Sequence, residues 1–375
     1  MKKKYILISA FIVIFFIAYF FIIDPINRNY EKATSVKNFA EDKENVFVNT
    51  FYGLFKIKKV TNEISQVKKI NDYIVEIVAD ENDEKWVISM LGFMDYALYS
   101  FKNENKVTKH TSPFKINKDQ IWNDWENIKI DHIGTKWILV KTDFTEDSRD
   151  PLLSLWTTYE LYSYDSFGNW KKYPFPEKIT GGEPDMFIDE YDNIIFLISN
   201  RHNKVNNNVT EITYSYKLLF LENYGAPGDL GEINSFRIRE WSQLDFPSRD
   251  FSLNNSFTDK KHNIWITGSS NGNYNIYRLQ DTDFIKYAVS KEIKALDSDT
   301  NGKVWIATED GIEILNEKNS LISKKEISKM FIDSKNKKWI EERRHGIECY
   351  DGKEWKSYNF EIFKHVVKDF FNNLF

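Results

Sequence analysis

The chain has 375 residues, 16% of them aromatic, and a formal net charge of −5 drawn from 51 basic and 56 acidic side chains. That length holds one large domain or two ordinary ones, and the balanced charge lacks the basic stripe that phosphate neutralisation needs, so no nucleic acid is expected as a partner. A single cysteine, Cys349, excludes both an internal disulfide and a thiolate metal site.

The N-terminus opens Met1-Lys2-Lys3-Lys4, and an unbroken apolar run follows from Tyr5 to Ile23. At about 1.5 Å per residue, such a helix nearly spans a hydrocarbon core of roughly 30 Å. The lysines would hold its start in the cytoplasm, so the rest of the chain would be translocated. Residues 1–4 therefore read as a cytoplasmic tail, 5–23 as a transmembrane signal-anchor and 24–37 as a stem. Everything beyond would be periplasmic or extracellular, a single-pass arrangement. A cleaved signal peptide is the alternative, but Phe20-Phe21-Ile22-Ile23-Asp24-Pro25 lacks small residues at a cut.

Residues 38–360 carry a repeat, clearest from Ile293 to Leu315. An Asp stands six residues before a Trp in Asp80 and Trp86, Asp131 and Trp137, Asp259 and Trp265, Asp299 and Trp305, and Asp333 and Trp339. Asp189 has the same offset from Ile195, and Glu41 with Phe47 reads as a weaker first copy. Three residues after the acids stand Asp83, Gly134, Asp192, His262, Gly302 and Asn336, types that tolerate the left-handed backbone of a tight turn. The acid would bond the turn's own amides, and the Trp would begin a strand whose large face packs between sheets. Gly53 and Gly311 suit the next hairpin. Trp170 with Tyr173, Phe284 with Tyr287 and Trp355 with Tyr358 mark a fourth, outer strand.

Marker spacings of 39, 51, 58, 70, 40 and 34 residues fit blades of about 40–50 residues, with insertions near 142–154 and 201–250. The expected fold is all-β: a seven-bladed β-propeller of four-stranded blades. The degenerate first and fourth units leave six or eight blades open. Residues 361–375 place Ile362, Phe363, Val366, Val367, Phe370, Phe371 and Leu374 on one helical face, an amphipathic C-terminal helix that would pack on the propeller, with contact to the membrane or a partner as the alternative.

With the repeat written out, the stretch from Leu296 to Ile312, and more briefly Asn263–Gly268 and Lys338-Trp339-Ile340, resembles the two-component regulator propeller family. The resemblance covers roughly residues 38–360 and implies an extracytoplasmic sensor propeller. The chain departs from that family in having no kinase, no receiver and a membrane segment that precedes the propeller. Ser298-x-x-x-Gly302-x-x-Trp305 also grazes the Asp-box of sialidases, but Thr300 stands where that box has its Asp.

No catalytic signature is present. His110, His132, His202, His262, His345 and His365 lack metal-ligand spacing, so no metal or cofactor is expected. One hairpin breaks the local rule: unit seven reads Trp339-Ile340-Glu341-Glu342-Arg343-Arg344-His345-Gly346 where unit six has Ala307, Thr308, Glu309 and Asp310. Glu341, Arg343, Arg344 and His345 are therefore the candidate ligand-binding residues, against the plainer reading of a solvated charged hairpin. Trp156, Tyr159, Tyr162 and Tyr164 could line a glycan or peptide surface, or could simply pack between blades. Asn208-Val209-Thr210 and Asn254-Asn255-Ser256 match the glycosylation tripeptide. The expected function is a membrane-anchored binding or sensing module for a protein, peptide or glycan. A glycan lyase or hydrolase with its site at the central channel is the second expectation, and a scaffold of a surface complex the third.

Overall fold

The computed structural model describes residues 35–358 apart from 52, 69, 71–72, 93–94, 112, 114–119, 146–154, 176–183, 207–208, 222–235, 241–251, 271, 281–282, 318–319, 324–326 and 343–345. Its strands run from β1 (Val36–Glu41) to β28 (Trp355–Tyr358) and form seven four-stranded antiparallel sheets, each a simple meander. The first blade begins at Val36, two residues before the boundary read from the sequence. The apolar run 5–23, most of the stem and the segment 361–375 lie outside the described residues. Among the described residues, no helix is long and apolar enough to cross a membrane.

The blade count follows from the core. Among the described residues there are seven buried clusters, one for each junction between neighbouring blades, and the last joins blade 7 to blade 1. Each marker side chain enters the junction with the following blade. Phe47 meets Ile77 and Val87, Trp86 meets Ile128 and Ile138, and Trp137 meets Ile188 and Phe196. Ile195 meets Ile266 and Tyr277, Trp265 meets Val304 and Ile306, and Trp305 meets Ile332 and Ile340. Trp339 closes the ring against Val36, Val48 and Ile57, and is 0% exposed. In three junctions the lysine beside the next marker lies over the ring: Lys85 at 5.3 Å from Phe47, Lys136 at 3.9 Å from Trp86 and Lys338 at 4.0 Å from Trp305. These lysines are buried, and burial lowers the pKa of Lys136 and Lys338.

The repeated acid has two duties, one per oxygen. In Asp299, Oδ1 accepts the backbone N–H groups of Asn301 at 2.9 Å and Lys303 at 3.0 Å, while Oδ2 accepts the Trp305 indole N–H at 3.1 Å. The indole bond recurs at 3.3 Å for Trp86 with Asp80, 2.8 Å for Trp137 with Asp131, 2.8 Å for Trp265 with Asp259 and 2.9 Å for Trp339 with Asp333. This explains the spacing of six: it brings the indole of the next strand back over the turn. All six turn residues three after the acid have positive φ, from 58° at Asp83 to 83° at Gly134. In blade 4, Ile195 has no donor, and Asn193 Nδ2 takes Asp189 Oδ2 at 2.8 Å instead.

Blade 1 corrects the sequence reading. Its turn is one residue shorter, and Asp42 rather than Glu41 holds it, accepting the backbone of Glu44 and Asn45 at 2.9 and 2.7 Å. Glu41 instead pairs with Lys59 and accepts Ser334 of blade 7 at 3.0 Å.

The indole–carboxylate bond should show as coupling rather than as a contact. Asp333→Ala and Trp339→Phe, measured singly and together by denaturant unfolding, are expected to couple by about 1 kcal/mol. Additive effects would mean that the bond contributes nothing beyond the turn.

Candidate functional site

The innermost strands are β1, β5 (Tyr73–Ala79), β9 (Gln120–Ile130), β13 (Asp185–Ile188), β17 (Ser252–Thr258), β21 (Ala295–Ser298) and β25 (Ile327–Ile332). Each runs toward its Asp turn, so all seven start at the same end of the propeller. That end, the hairpin end, also carries the hairpins between second and third strands. An innermost strand is a sheet edge, and its outward N–H and C=O groups need partners.

Some of those partners come from one register, opposite the second residue past each marker, which holds Asn38, Glu76, Asn127, Asp185, Asn255, Ala295 and Lys329. Six of the seven are polar, and most reach the next blade. Asn38 Nδ2 donates to Ile77 O at 2.8 Å, and Glu76 Oε2 accepts Ile128 N–H at 2.6 Å. Asp185 Oδ2 accepts Ser256 Oγ–H at 2.8 Å, and Lys329 Nζ donates to Lys37 O. Blade 6 has Ala295 there, and Asp297 substitutes by accepting Ile332 N–H at 2.5 Å. Burial raises the pKa of Glu76, and it raises that of Asp297 to about 7 against the pull of the amides of Ile332 and Ser298.

One step closer to the hairpin end, five innermost strands carry a β-bulge in the same register. The extra residues are Lys37, Val75, Glu126, Asn254 and Ser328. Bulges re-aim side chains and gather beside binding sites. Here they make a rim at one mouth of the channel. The rim is most elaborate across blades 7, 1 and 2. Lys37 Nζ lies 2.9 Å from the centre of the Tyr73 ring and donates to Ile74 O at 2.7 Å. Burial, and then the charge of Lys329, lower its pKa to about 8. Beside it, Phe51 and Tyr73 meet edge to face at 5.7 Å, and they stay 54% and 38% exposed.

Glu341 belongs to this seam. It is buried, and its Oε1 accepts Val36 N–H at 2.7 Å while Oε2 accepts Ser328 Oγ–H at 2.7 Å. Its carboxylate thus joins blade 7 to the first residue of blade 1. Arg343, Arg344 and His345 lie outside the described residues. Tyr159 is buried between blades 3 and 4, Tyr162 is buried between blades 2 and 3, and Tyr164 packs against the latter cluster, so these three follow the packing alternative. The described parts of the expected insertions lengthen two hairpins at the hairpin end. In blade 3, β10 (Lys136–Thr145) and β11 (Leu155–Tyr164) have ten residues each, and in blade 4, β14 (Ile194–Asn206) and β15 (Val209–Leu221) have thirteen.

The opposite, turn end is drawn together over the axis. His132 Nδ1 lies 2.6 Å from Asp192 Oδ1, and the rings of His132 and His262 stand 4.7 Å apart. The Asp192 carboxylate raises the pKa of His132. Lys260 of blade 5 reaches Ile332 O and Asp333 O of blade 7 at 2.7 and 3.2 Å. Among the described residues, no three His, Cys, Asp or Glu side chains form a group able to hold a metal ion.

Neither the polar belt nor the bulge rim was found from the sequence. The belt did leave a trace, a polar residue ten before the marker at Glu76, Asn127, Asp185, Asn255 and Lys329. The short first turn moves Asn38 to nine and breaks the pattern. A bulge leaves no such mark, because it exists only in the pairing.

No protein-family model matches the chain, and no curated protein matches it in sequence. Solved structures do. Puromycin hydrolase, as an S511A mutant, aligns over 89% of this chain and 55% of its own length, with 9% identity and a TM-score of 0.59. The extracellular domain of the hybrid two component system BT4673 of B. thetaiotaomicron aligns over 88% and 55%, with 14% identity and a TM-score of 0.27. YCF48 bound to D1 peptide aligns over 88% and 93%, with 10% identity and a TM-score of 0.48. The chain spans about half the length of the first two. At such identities the likeness to the hydrolase is one of fold alone.

Two measurements probe the belt and seam. Glu341→Ala leaves the Val36 amide unpaired and is expected to cost about 1–3 kcal/mol, with faster amide exchange in blades 1 and 7 than in blades 3 and 4. Unchanged exchange at Val36 would remove Glu341 from the seam. For Asp297 the sign follows from a raised folded-state pKa: the neutral acid is favoured on folding, and stability falls as pH rises from about 4 through 7. Asp297→Asn has no such loss, so its melting temperature relative to the parent should rise between pH 5 and 8. A constant difference would show that the carboxyl does not titrate in that window.

Proposed function

We propose that this chain is a membrane-anchored, extracytoplasmic propeller that binds a protein, peptide or glycan at its hairpin end and serves as a binding or sensing module. The observation that carries this reading is the exposed Phe51–Tyr73 pair beside Lys37, set on a rigid ring at the bulged rim. Paired aromatics with an adjacent cation supply stacking area and charge with little ordering cost. The long hairpins of blades 3 and 4 wall the same end, and ligand contacts commonly gather on such extensions of a rigid scaffold. The anchor is supported by the apolar run from Tyr5 to Ile23 behind three lysines.

The enzyme alternative asks for acids and bases converging, unengaged, on the channel mouth. The acids with raised pKa in the innermost strands, Glu76 and Asp297, are instead bonded to the backbone of the next blade. That arrangement favours binding over catalysis.

The test is recovery of a ligand by the full chain in detergent from solubilised membranes and culture polysaccharide, with affinity then measured for whatever is recovered. Phe51→Ala with Tyr73→Ala should weaken binding by roughly ten- to hundredfold without unfolding the propeller. Binding indifferent to both changes would remove this rim as the site. Turnover of a recovered glycan would replace the binding reading with the enzymatic one.

A further inference from the structure

The start of β1 fixes more than the first blade. The chain enters the propeller at Val36, on the innermost strand and at the hairpin end. Only residues 24–35 separate it from the apolar run that ends at Ile23. Twelve residues span at most about 40 Å when fully extended.

For the turn end to face the membrane, the stem would have to leave the channel mouth, cross the blade and descend its flank. Four strands at roughly 4.8 Å spacing outside a channel make a radius of about 20 Å, and strands of about seven residues make a height of about 23 Å. That path consumes the whole stem before it reaches the bilayer. The axial route is obstructed as well. At the turn end, His132 of blade 3 lies against His262 of blade 5, and Lys260 of blade 5 spans to blade 7. The hairpin end needs no detour.

Blade 4 deepens the asymmetry. Its second strand runs eleven residues past the marker, from Ile195 to Asn206, against three in blades 1 and 7, from Phe47 to Thr50 and Trp339 to Glu342. The excess is roughly 25 Å of strand at the same end.

We propose that the propeller stands on the membrane with its hairpin end facing the bilayer, so that the bulged rim and the long hairpins of blades 3 and 4 look onto the lipid surface and the turn end faces away. The proposal rests on the anchor proposed above. Its consequence is a ligand site confined to the gap between propeller and bilayer.

The experiment uses the full chain reconstituted in phosphatidylcholine vesicles that carry an acceptor-labelled lipid. Single cysteines are introduced at the hairpin end by Asn273→Cys and at the turn end by Ile133→Cys and Tyr191→Cys, and each is labelled with a donor dye. The native Cys349 is buried and its thiol is pushed up to about 12, so it should not label. Energy transfer is expected to be stronger from position 273 than from 133 or 191, by an amount matching a height difference of about 20 Å. A flexible insert of about twenty Gly and Ser residues in the stem should erase the contrast. Equal or reversed transfer, in chain that resists an alkaline wash, would overturn the orientation alone. Release of the chain by that wash would overturn the anchor, and the orientation with it.

Discussion

Seven sheets arranged around an axis leave seven innermost edges that no strand can pair with, and the rest of this structure depends on how those edges are satisfied. A buried backbone group without a partner costs about 1–3 kcal/mol, so seven bare edges would consume the stability of an ordinary domain. Asn38, Glu76, Asp297 and Lys329 meet part of that demand with side chains that cross to backbone groups of the next blade, and Asp185 adds a side-chain bond to Ser256. The solution explains why polar residues recur on the most central strands of a protein otherwise packed with aromatics. It also accounts for the perturbed acids: the amide of Ile332 places Asp297 in a buried position, and burial raises its pKa to about 7 despite the opposing pull of that amide.

Ring closure is the second demand, and it is met without a shared strand. All four strands of blade 7 come from residues 327–358, and all four of blade 1 from residues 36–66. The junction between them therefore rests on side chains alone. Trp339 fills it, and losing a buried Trp typically costs about 3–5 kcal/mol. Around it, Tyr358 Oη donates to Asn62 Oδ1 at 2.7 Å, Lys59 bridges Glu41 and Ser334, and Glu341 holds Val36. Lys59 is fully buried at its side chain, where its Nζ finds three acceptors in Glu41 Oε2, Asp42 O and Ser334 Oγ.

The sequence exposed the outer logic of the fold and concealed the inner. Trp305 and its Asp299 could be read because one physical unit, a turn that captures an indole, recurs in five blades with invariant spacing. The same spacing misled at Glu41, where the turn is one residue shorter and Asp42 takes over. Glu341 was singled out because charge in a second strand breaks the repeat. The structure assigns that charge to the ring's closing bond, a role that depends on a residue 305 positions away in the chain. The aromatic pair of Phe51 and Tyr73 was invisible for a similar reason: its members belong to different blades, and only the ring brings them together.

The seam, the rim and the proposed path to the membrane meet in consecutive residues. Val36 is held by Glu341 of blade 7. Lys37 is the bulged residue over Tyr73 of blade 2, and its carbonyl receives Lys329 of blade 7. A ligand seated on Phe51, Tyr73 and Lys37 therefore touches blades 1 and 2 directly and blade 7 through one hydrogen bond. Any ligand that prefers the closed ring stabilises it by RT ln(1 + [L]/Kd), about 2.7 kcal/mol at a hundredfold excess over Kd. That is comparable to the worth of the bonds across this junction, which is the one joint of the ring without chain continuity. Binding energy delivered here acts on the joint from which the stem departs. Under the proposed anchor, a stiffened or loosened seam is the physical means by which occupancy of the rim reaches the stem.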